Sequence, residues 1–570
     1  MLISSLCGLL VAVIYAWLFS WYLGYHGVFL LFIYILWIVF YNNCWELYIC
    51  WISQCICYGE IFNWIELGNG LIITIGYVTN LMSLGVTVVM VGGSLIVIIF
   101  VYNEMWDDKE GIAFVILLIL FLIFMEILLI SDNLLVFYLG WEGIGLVSLF
   151  LISFWTTRVR SIKATFKVFC LNKLGDCLLL WLICLIIGKC GNVNFEFLES
   201  WALILSQKLC YLGGCTFELC NVIAITAVLA GGVKSVQFGF HIWLVEAMEA
   251  PLGASALMHS STLVIAGIVL IYKLYAIINL SWPATLLLIV WGSWTTLFAA
   301  FIACWQFEVK GILAYSTISS MGSLYVLLGC GTIDEMLLFL LIHALIKIFL
   351  FLLIGSILTH CGGIQDLRWM GGLMQYMPYG CIFYSWGIIS LVGFPYWSGY
   401  FCKSQMWIAL NNTFLVVHGS QLCFILGSVC TCIYLLRILI LIFHGCKRGH
   451  KSIYRTTAPS GFLIIIITIL LFAMLYYSLV WNQIIYGWAQ SINFYWLDFY
   501  GNKCEKVITW FGWHLFGILY IISNIILVWL LFIWCNTHHN NLNKLWKILK
   551  WSWLIIYIWF CIEYPWNIES

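Results

Sequence analysis

Long apolar runs separated by short polar breaks dominate the chain. Residues 112–130, 263–280, 337–358 and 462–479 are examples. A run of about twenty apolar residues is long enough to cross a bilayer as a helix, whereas strands are much shorter. The alternating ten-residue pattern of a membrane β-barrel is absent from the sequence. The pattern therefore predicts an all-α, polytopic membrane protein with about fifteen or sixteen transmembrane helices.

The polar breaks divide the chain into three parts. Residues 1–70 are predicted to hold N-terminal transmembrane helices and a Cys/Trp-rich loop at 44–60. Residues 71–440 form the core, which opens with a predicted span at 71–101 and carries most of the ionisable residues within spans. Residues 441–570 are predicted to form C-terminal helices.

Composition supports the membrane assignment and removes several classes of function. Hydrophobic residues make up 64% of the chain and charged residues 8%, whereas soluble domains are about one-quarter charged. The 24 basic and 24 acidic residues balance, so no nucleic-acid partner is predicted. The cysteine pairs Cys55/Cys57 and Cys430/Cys432 have one intervening residue and no zinc or iron–sulfur spacing, so no metal site is predicted and the cysteines are interpreted as small hydrophobes.

Ionisable residues at membrane depth are costly, which makes each one a candidate for function. Glu142 lies mid-span and is too short to reach the interface, although a structural hydrogen bond is the alternative. Lys234 lies deep in a span that begins near Asn221, and His241 follows seven residues later. Two helical turns would place Lys234 and His241 on one face. The surrounding glycines favour an interrupted helix whose freed backbone groups line a cavity.

The next segment adds two carboxylates, a histidine and a lysine. Glu246 and Glu249 are three residues apart, which predicts that they share a helix face. His259 stands beside three hydroxyl residues that could carry a proton, although a polar loop explains the same pattern. Lys310 lies near a span boundary, where a lysine that extends its ammonium to the interface is an equally good interpretation.

The last charged positions of the core lie on three further spans. His343 and Lys347 are four residues apart and therefore stack on one helix face. Lys403 follows Pro395 and two glycines, again the pattern of a broken helix, and Arg437 is a lone charge in an apolar span. The sequence offers no phosphate loop, metal cluster or nucleophile–base pair. These side chains predict proton movement, not the making of covalent bonds.

Six motifs in this core resemble the antiporter-like membrane subunits of respiratory complex I, specifically the subunit 5 family. In chain order they are GWEGIGLVSLFLI (140–152), AGGVKSVQFGFHIWLVEAMEAPLGASALMHSSTLVIAG (230–267), LAYSTISSMG, LIHALIKIFLFLLIGSILTH, DLRWMGGL and GFPYWSGYFCKS. The resemblance covers roughly residues 70–440. It implies an antiporter-like, proton-translocating core at 71–440, with interrupted helices and inverted repeats.

The resemblance also implies roles for individual residues. Glu142 and Lys234 match the family's proton-input pair, in which the distance between the two groups controls whether the lysine holds its proton. Asp176 matches a sixth-helix acid, and Lys173 replaces the usual arginine. Lys310, His343, Lys347 and Lys403 match the later members of the family's relay. The charged positions described above add His241 and His259 as candidate relay residues and Glu249 and Arg437 as candidate supporting residues.

The chain departs from the family pattern at several positions. Phe339 stands where a relay histidine is usual, one turn before His343. Ile242, Val245 and Gly253 replace prolines, and Glu246 replaces an aspartate. Beyond residue 445 the resemblance weakens. The family's lateral helix and final anchoring helix are expected at 512–550 and 551–565, although 512–535 is more evenly apolar than an interfacial helix should be.

The resemblance implies that this chain is a subunit of an H⁺-translocating NADH:ubiquinone reductase with no redox site of its own. FMN, iron–sulfur clusters and ubiquinone are then expected in other subunits, and phospholipid such as cardiolipin is a candidate ligand. The expected partners are other membrane-arm subunits, especially the subunit 4 paralogue, in the mitochondrial inner membrane. A cation/proton antiporter subunit, a structural subunit with an inactive channel and a substrate transporter are the alternatives.

Overall fold

The computed structural model of the chain describes residues 2–449, except 54–55, 68–70, 107, 213–214, 394–396, 413–416 and 446. The predicted lateral helix at 512–550, the predicted final span at 551–565 and the apolar run at 462–479 lie outside the described residues. The division into three parts and the total of fifteen or sixteen transmembrane helices therefore stay predictions.

Within the described ranges the chain is overwhelmingly helical. The helices, in chain order, are α1 (Leu2–Ser53), α2 (Leu81–Glu104), α3 (Gly111–Ile130), α4 (Leu134–Ile152), α5 (Val159–Cys190), α6 (Phe195–Gln207), α7 (Leu219–Lys234), α8 (Ile242–Glu246), α9 (Leu252–Ser260), α10 (Leu263–Lys273), α11 (Tyr275–Leu280), α12 (Trp282–Trp305), α13 (Val309–Cys330), α14 (Ile333–His360), α15 (Pro378–Val392), α16 (Ser398–Asn412) and α17 (Val417–Leu439). Helix α1 is interrupted at Gly24, where φ is 63°. Helix α17 continues into a π-helical turn at Ile440–His444.

Ten helical segments in the described part of the chain are long and apolar enough to cross a membrane. They are Ser5–Ser53, Leu81–Glu104, Gly111–Ile130, Leu134–Ile152, Val159–Cys190, Leu252–Lys273, Trp282–Trp305, Val309–Cys330, Ile333–His360 and Gly419–His444. Helices α7 and α15 are shorter apolar helices. The prediction of a polytopic, helical membrane protein is confirmed.

Two short β-hairpins interrupt the helical pattern. Strands β1 (Cys57–Leu67) and β2 (Leu71–Thr79) pair antiparallel, as do β3 (Leu209–Leu212) and β4 (Cys215–Glu218). The span predicted at 71–101 therefore starts ten residues late, and the loop predicted at 44–60 is mainly the end of α1 and the start of β1. Asn80 explains the late start because its side chain and that of Ser83 form a capping box at the first turn of α2.

Small residues bring the helices that carry charged side chains close together. A Cβ atom on Gly267 of α10 would lie 2.2 Å from the carbonyl oxygen of Gly231 of α7. On Gly322 of α13 it would lie 2.7 Å from the Gly292 carbonyl oxygen of α12. Only glycine permits backbones to approach so closely, the arrangement expected between membrane helices. These contacts set the position of α7 against α10 and that of α13 against α12.

Two apolar helices stop part-way and restart after a non-helical segment. Helix α7 ends at Lys234, and α8 begins at Ile242; helix α15 ends at Val392, and α16 begins at Ser398. Each interruption lies beside a lysine that the sequence singles out. The predicted broken helices are present at both places, although Pro395 itself lies outside the described residues.

Candidate functional site: a row of buried ionisable side chains

The backbone beyond Lys234 is held in its broken conformation by side chains of neighbouring helices. Val236 adopts a positive φ of 63° and Gly239 one of 96°. The Trp243 indole nitrogen donates a hydrogen bond to the Val233 carbonyl oxygen over 2.8 Å, and Trp291 donates to the Phe238 carbonyl oxygen over 3.0 Å. Two carbonyl oxygens beside the break therefore accept hydrogen bonds from side chains. Non-helical backbone inside a membrane is tolerated when its polar groups are satisfied in this way.

Lys234 is buried at the end of α7 with a single acidic neighbour in contact. Its side chain is 1% exposed, and its Nζ lies 4.0 Å from Asp176 Oδ1. The ammonium also lies 5.1 Å from the centre of the Trp141 ring, whose indole nitrogen donates to the same Asp176 oxygen over 2.8 Å. No hydrogen bond to Lys234 Nζ is present in the described residues. This ammonium is therefore stabilised by charge and by an aromatic face alone.

Glu142 does not contact Lys234 directly in this structure, although the charges of the two groups interact, and the input pair stays a prediction. Lys173 lies between them, with its Nζ 2.6 Å from Glu142 Oε2 and 3.1 Å from Asp176 Oδ2. The Tyr138 hydroxyl donates to Glu142 Oε1 over 2.6 Å. The four charged residues form a continuous series from Glu142 through Lys173 and Asp176 to Lys234.

Exposure along this series falls from the surface inward. The side chains of Lys173 and Glu142 are 40% and 20% exposed, whereas those of Asp176 and Lys234 are 5% and 1% exposed. Helix α4 supplies Glu142, helix α5 supplies Lys173 and Asp176 one turn apart, and α7 supplies Lys234. The series therefore connects an accessible pair of charges to a buried pair.

His241 does not share a helix face with Lys234, and that prediction is wrong. The helix ends at Lys234, so the seven residues between them are not two regular turns. His241 instead lies among aromatic rings, with its ring centre 5.2 Å from Phe298 and 6.4 Å from Tyr315. Its Nδ1 is buried without a hydrogen bond in the described residues.

Lys310 points into the protein and not toward the interface. The residue is 5% exposed, and its Nζ donates to the carbonyl oxygens of Met248 and Ala250 over 3.4 and 3.2 Å. The carboxylates of Glu104, Glu249 and Glu308 act on this ammonium group by charge. The interpretation of Lys310 as a lysine that extends to the interface is wrong, because the turn after α8 supplies carbonyl acceptors inside the protein.

Glu246 and Glu249 face different neighbours. Glu246 Oε1 lies 2.5 Å from Lys167 Nζ of α5, whereas Glu249 interacts with Lys310. The predicted common helix face is wrong because α8 ends at Glu246 and a 3₁₀ turn covers Ala247–Glu249.

His259 is fully buried at the end of α9, and neither ring nitrogen has a hydrogen bond in the described residues. The hydroxyls of Ser260 and Thr262 donate to backbone carbonyls of the same helix, while the buried Ser261 hydroxyl has no partner in the part of the chain that the structure describes. The helix breaks between α9 and α10 at this point. His259 therefore lies in a helix and not in a polar loop.

His343 and Lys347 both lie in the buried centre of α14, as their spacing predicts. Lys347 is fully buried, and its Nζ donates to Ser316 Oγ of α13 over 2.5 Å. The Tyr434 hydroxyl is in hydrogen-bonding reach of Ser316 and Ser319. Phe339 contributes only a ring, 6.5 Å from that of His343, where the family pattern has a histidine.

Lys403 lies just after the second interruption, on α16. Its Nζ donates to the Val392 carbonyl oxygen over 3.0 Å and to Thr431 Oγ1 over 3.3 Å. Gly399 allows the close return of the chain, because a Cβ there would lie 2.0 Å from the Ser390 carbonyl oxygen. The end of α15 and a hydroxyl of α17 therefore hold this lysine.

A cavity joins the surroundings of His343 and Lys403, and Phe339 forms part of its wall. Nine of the lining residues carry hydroxyl groups. They are Thr296, Ser316, Ser319, Ser320, Ser323, Ser390, Ser428, Thr431 and Tyr434. The eight serine and threonine hydroxyls each donate to a backbone carbonyl oxygen of their own helix, and a hydroxyl that donates one hydrogen bond can still accept another.

Arg437 has partners that its own span does not reveal. One guanidinium nitrogen donates to the carbonyl oxygens of Cys304 and Gln306, and the group lies 5.2 Å from the centre of the Phe307 ring. These carbonyls end α12, where a cation is electrostatically favoured. Arg437 thus joins α17 to α12 and takes no direct part in the row of lysines.

Sequence reasoning missed three ionisable residues, of which Glu104 and Lys273 are half-buried and Glu126 is fully buried. Glu104 accepts hydrogen bonds from the backbone nitrogens of Leu252 and Gly253, the first turn of α9. Lys273 donates to the Ser131 carbonyl and hydroxyl oxygens. Glu126 is fully buried in α3. Lys273 and Glu126 interrupt apolar runs, a signal that could have found them, whereas Glu104 resembles an ordinary loop residue.

The described residues contain no group of three or more His, Cys, Asp or Glu side chains placed to hold a metal ion. Their arrangement supports one kind of chemistry, which is the transfer of protons between neighbouring carboxylate, ammonium, imidazole and hydroxyl groups.

Comparisons with known proteins identify the family. Residues 131–433 match the family model "NADH:quinone oxidoreductase/Mrp antiporter, TM". The chain is 33% identical to NADH-ubiquinone oxidoreductase chain 5 of Paramecium tetraurelia over 78% of this chain and 77% of that protein. The chain 5 of Wickerhamomyces canadensis is 31% identical over 83% and 74%, respectively.

A bacterial relative and a solved structure extend the comparison. NADH-quinone oxidoreductase subunit L of Rickettsia felis is 34% identical over 69% of this chain and 60% of that protein. A chain in the structure of the Mrp complex from Dietzia sp. DQ12-45-1b shares the fold, with a TM-score of 0.75 and 20% identity, and this chain spans 60% of it. The chain therefore belongs to the NADH:quinone oxidoreductase/Mrp antiporter transmembrane family, among the complex I subunits called chain 5 or subunit L.

Proposed function

We propose that this chain is a proton-translocating membrane-arm subunit of respiratory complex I, in which NADH oxidation by ubiquinone is coupled to proton pumping. The observation that carries the proposal is the row of buried ionisable side chains across the core. Charges at membrane depth persist where they serve transport or pair with one another. Here Lys310, Lys347 and Lys403 each donate to an acceptor on a neighbouring helix or turn, and Lys234 lies 4.0 Å from the Asp176 carboxylate.

The series that ends at Lys234 would act as the input. Two unit charges 4.0 Å apart, as in Asp176 and Lys234, attract by about 4 kcal/mol at an effective dielectric constant of about 20. Moving one charge against 100 mV costs about 2.3 kcal/mol. Making or breaking one such contact is therefore sufficient to move one proton. Glu142 would control the contact between Asp176 and Lys234 through Lys173, whose ammonium contacts the carboxylates of Glu142 and Asp176.

Beyond Lys234 the proton would pass through Lys310 to His343 and Lys347. From Lys347 the Ser316 hydroxyl leads toward Tyr434, and Thr431 contacts Lys403. In this proposal the hydroxyl-lined cavity replaces the step that the family pattern assigns to a histidine at position 339. Glu249 would act on Lys310 by charge. His241 directly precedes α8, and His259 lies at the end of α9.

The redox steps of the proposed complex would take place in other subunits, which would hold FMN, iron–sulfur clusters and ubiquinone. The proposed neighbours are membrane-arm subunits, especially the subunit 4 paralogue, with phospholipid such as cardiolipin between them. Two observations support a mitochondrial inner membrane. The chain 5 relatives share most of their length with this chain, and only 8% of its residues are charged.

A cation/proton antiporter subunit is the second candidate, since the chain shares its fold with a chain of an Mrp complex. Identity to the complex I relatives is higher, 31–34% against 20%. We therefore favour complex I. Copurification of the chain with NADH dehydrogenase activity distinguishes the two, because an antiporter subunit would not carry that activity.

Lys234→Met tests the function directly. The intact complex carrying this change should still oxidise NADH, but the number of protons pumped per NADH in proteoliposomes should fall. Lys163→Met, at an exposed position on α5, is the matched control and should pump normally. Normal pumping in the Lys234 variant would overturn the proposal.

A further inference from the structure

Glu126 and Asn43 are a pair of fully buried polar side chains that the proton relay does not use. Glu126 lies in α3 and Asn43 in α1, and both are 0% exposed. The Asn43 amide faces the Glu126 carboxyl group. In their present rotamers, however, neither the carboxyl oxygens nor the amide nitrogen and oxygen make a hydrogen bond in the described residues. Four buried polar atoms therefore lie close together without partners.

The pair lies on the side of α3 that faces away from the relay. Helix α3 packs on α4 through Phe124 against Gly143 and Leu128 against Gly140. Glu126 is two residues from each of these contacts, which places it about 200° around the helix. On that opposite side α3 contacts α1. Glu126 is thus at the depth of Glu142, but separated from it by the body of α3.

The surroundings decide the charge of Glu126. Within the described residues, no lysine, arginine or histidine forms a salt bridge with it. Burying an ionised carboxylate without a cation is prohibitively costly, so such a group takes up a proton. A neutral carboxyl group and a primary amide are complementary, since each offers one donor and one acceptor side by side. A 180° rotation of an amide group exchanges its donor nitrogen and its acceptor oxygen without changing its shape.

We propose that Glu126 and Asn43 form a proton-binding site separate from the relay. The Glu126 hydroxyl donates to Asn43 Oδ1, and Asn43 Nδ2 donates to the Glu126 carbonyl oxygen. The proton stays bound during turnover because release would leave a buried, unpaired carboxylate. The hydrogen-bonded pair of Glu126 and Asn43 holds α1 against α3, and the opposite face of α3 packs on α4, the helix that carries Glu142. The protonation of Glu126 and its pairing with Asn43 do not depend on the proposed function, whereas the separation from the relay rests on it.

Infrared spectroscopy of the intact complex tests the protonation state. At neutral pH the wild-type complex should show a protonated-carboxyl band that Glu126→Gln removes. Glu199→Gln, at an exposed position on α6, should leave that band unchanged. A spectrum in which Glu126→Gln removes no such band would overturn the proposal. Proton pumping per NADH should equal wild type in Glu126→Gln; a reduced ratio would place Glu126 in the relay and overturn its separation from it.

A double-mutant cycle tests the pairing. Asn43→Leu should lower the temperature at which the complex dissociates, because it leaves a buried carboxyl group without a partner. The double variant Asn43→Leu, Glu126→Leu should recover much of that loss, since both polar groups are gone. Losses that simply add would show that the two side chains do not interact and would overturn the pair. This readout is independent of pumping, so it stands whether or not the proposed function does.

Discussion

Replacing Glu142 with glutamine removes one charge from the input series and leaves its shape intact. In the structure Glu142 and Asp176 balance Lys173 and Lys234. Without Glu142, Lys173 retains only its 3.1 Å contact with Asp176. Asp176 must then balance two ammonium groups. The positive charge of Lys173 next to Lys234 is no longer compensated, and the coupling of the outer pair to the inner pair is lost.

The energies of the two ion pairs predict that Glu142→Gln affects proton pumping and not the stability of the complex. The Lys173–Glu142 pair is partly exposed, 40% and 20%, and pairs of this kind contribute about 0–1 kcal/mol to stability. Assembly of the complex should therefore be unchanged. The contact between Asp176 and Lys234 is by contrast worth about 4 kcal/mol at 4.0 Å. That exceeds the roughly 2.3 kcal/mol needed to move a charge against 100 mV, so disturbing the control of this contact should lower the number of protons pumped per NADH.

The assay compares NADH oxidation with proton uptake by proteoliposomes that contain the purified complex. Glu142→Gln should keep most of the oxidation rate and lose a large part of the pumped protons per NADH. Native gels should show equal amounts of assembled complex. Glu199→Gln serves as the control for a carboxylate lost from an exposed surface. An unchanged proton ratio in Glu142→Gln would refute the reasoning, because the input series would then not need its outer carboxylate.

Three further changes test the packing and the hydroxyl path. Gly267→Ala should prevent assembly, because its Cβ would lie 2.2 Å from the Gly231 carbonyl oxygen; normal amounts of complex on a native gel would contradict this. Trp243→Phe removes the indole donor that binds the Val233 carbonyl oxygen at the end of α7. The free energy of unfolding should fall by about 1–3 kcal/mol, and the midpoint of thermal unfolding should fall with it. An unchanged midpoint would contradict a stabilising role for this hydrogen bond. Ser316→Ala removes the hydroxyl that Lys347 contacts and should reduce the number of protons pumped per NADH. Ser316→Thr keeps a hydroxyl and should restore that number. Equal numbers in the wild type and both variants would exclude a proton path through the Ser316 hydroxyl.

The sequence by itself determined the membrane class, the position of most spans and the identity of the charged residues. The reason is local. A helix that crosses a bilayer must satisfy its own backbone and present apolar side chains, so spans and costly charges are visible in the residues themselves. The helix at Gly111–Ile130 begins within a residue of the apolar run at 112–130, and His343 and Lys347 share a buried helix as their spacing predicts.

Only the tertiary structure decided which charges meet. Spacing predicted that Lys234 would face His241, and the family resemblance implied a pair with Glu142. The chain, however, leaves the helix immediately after Lys234, and packing inserts Lys173 and Asp176 from α5. Glu104 likewise reaches the first turn of α9 across 148 residues of sequence. Such contacts depend on how distant helices pack and where they break. Helical periodicity describes only one helix at a time, so it gives the face of a residue but not its partner.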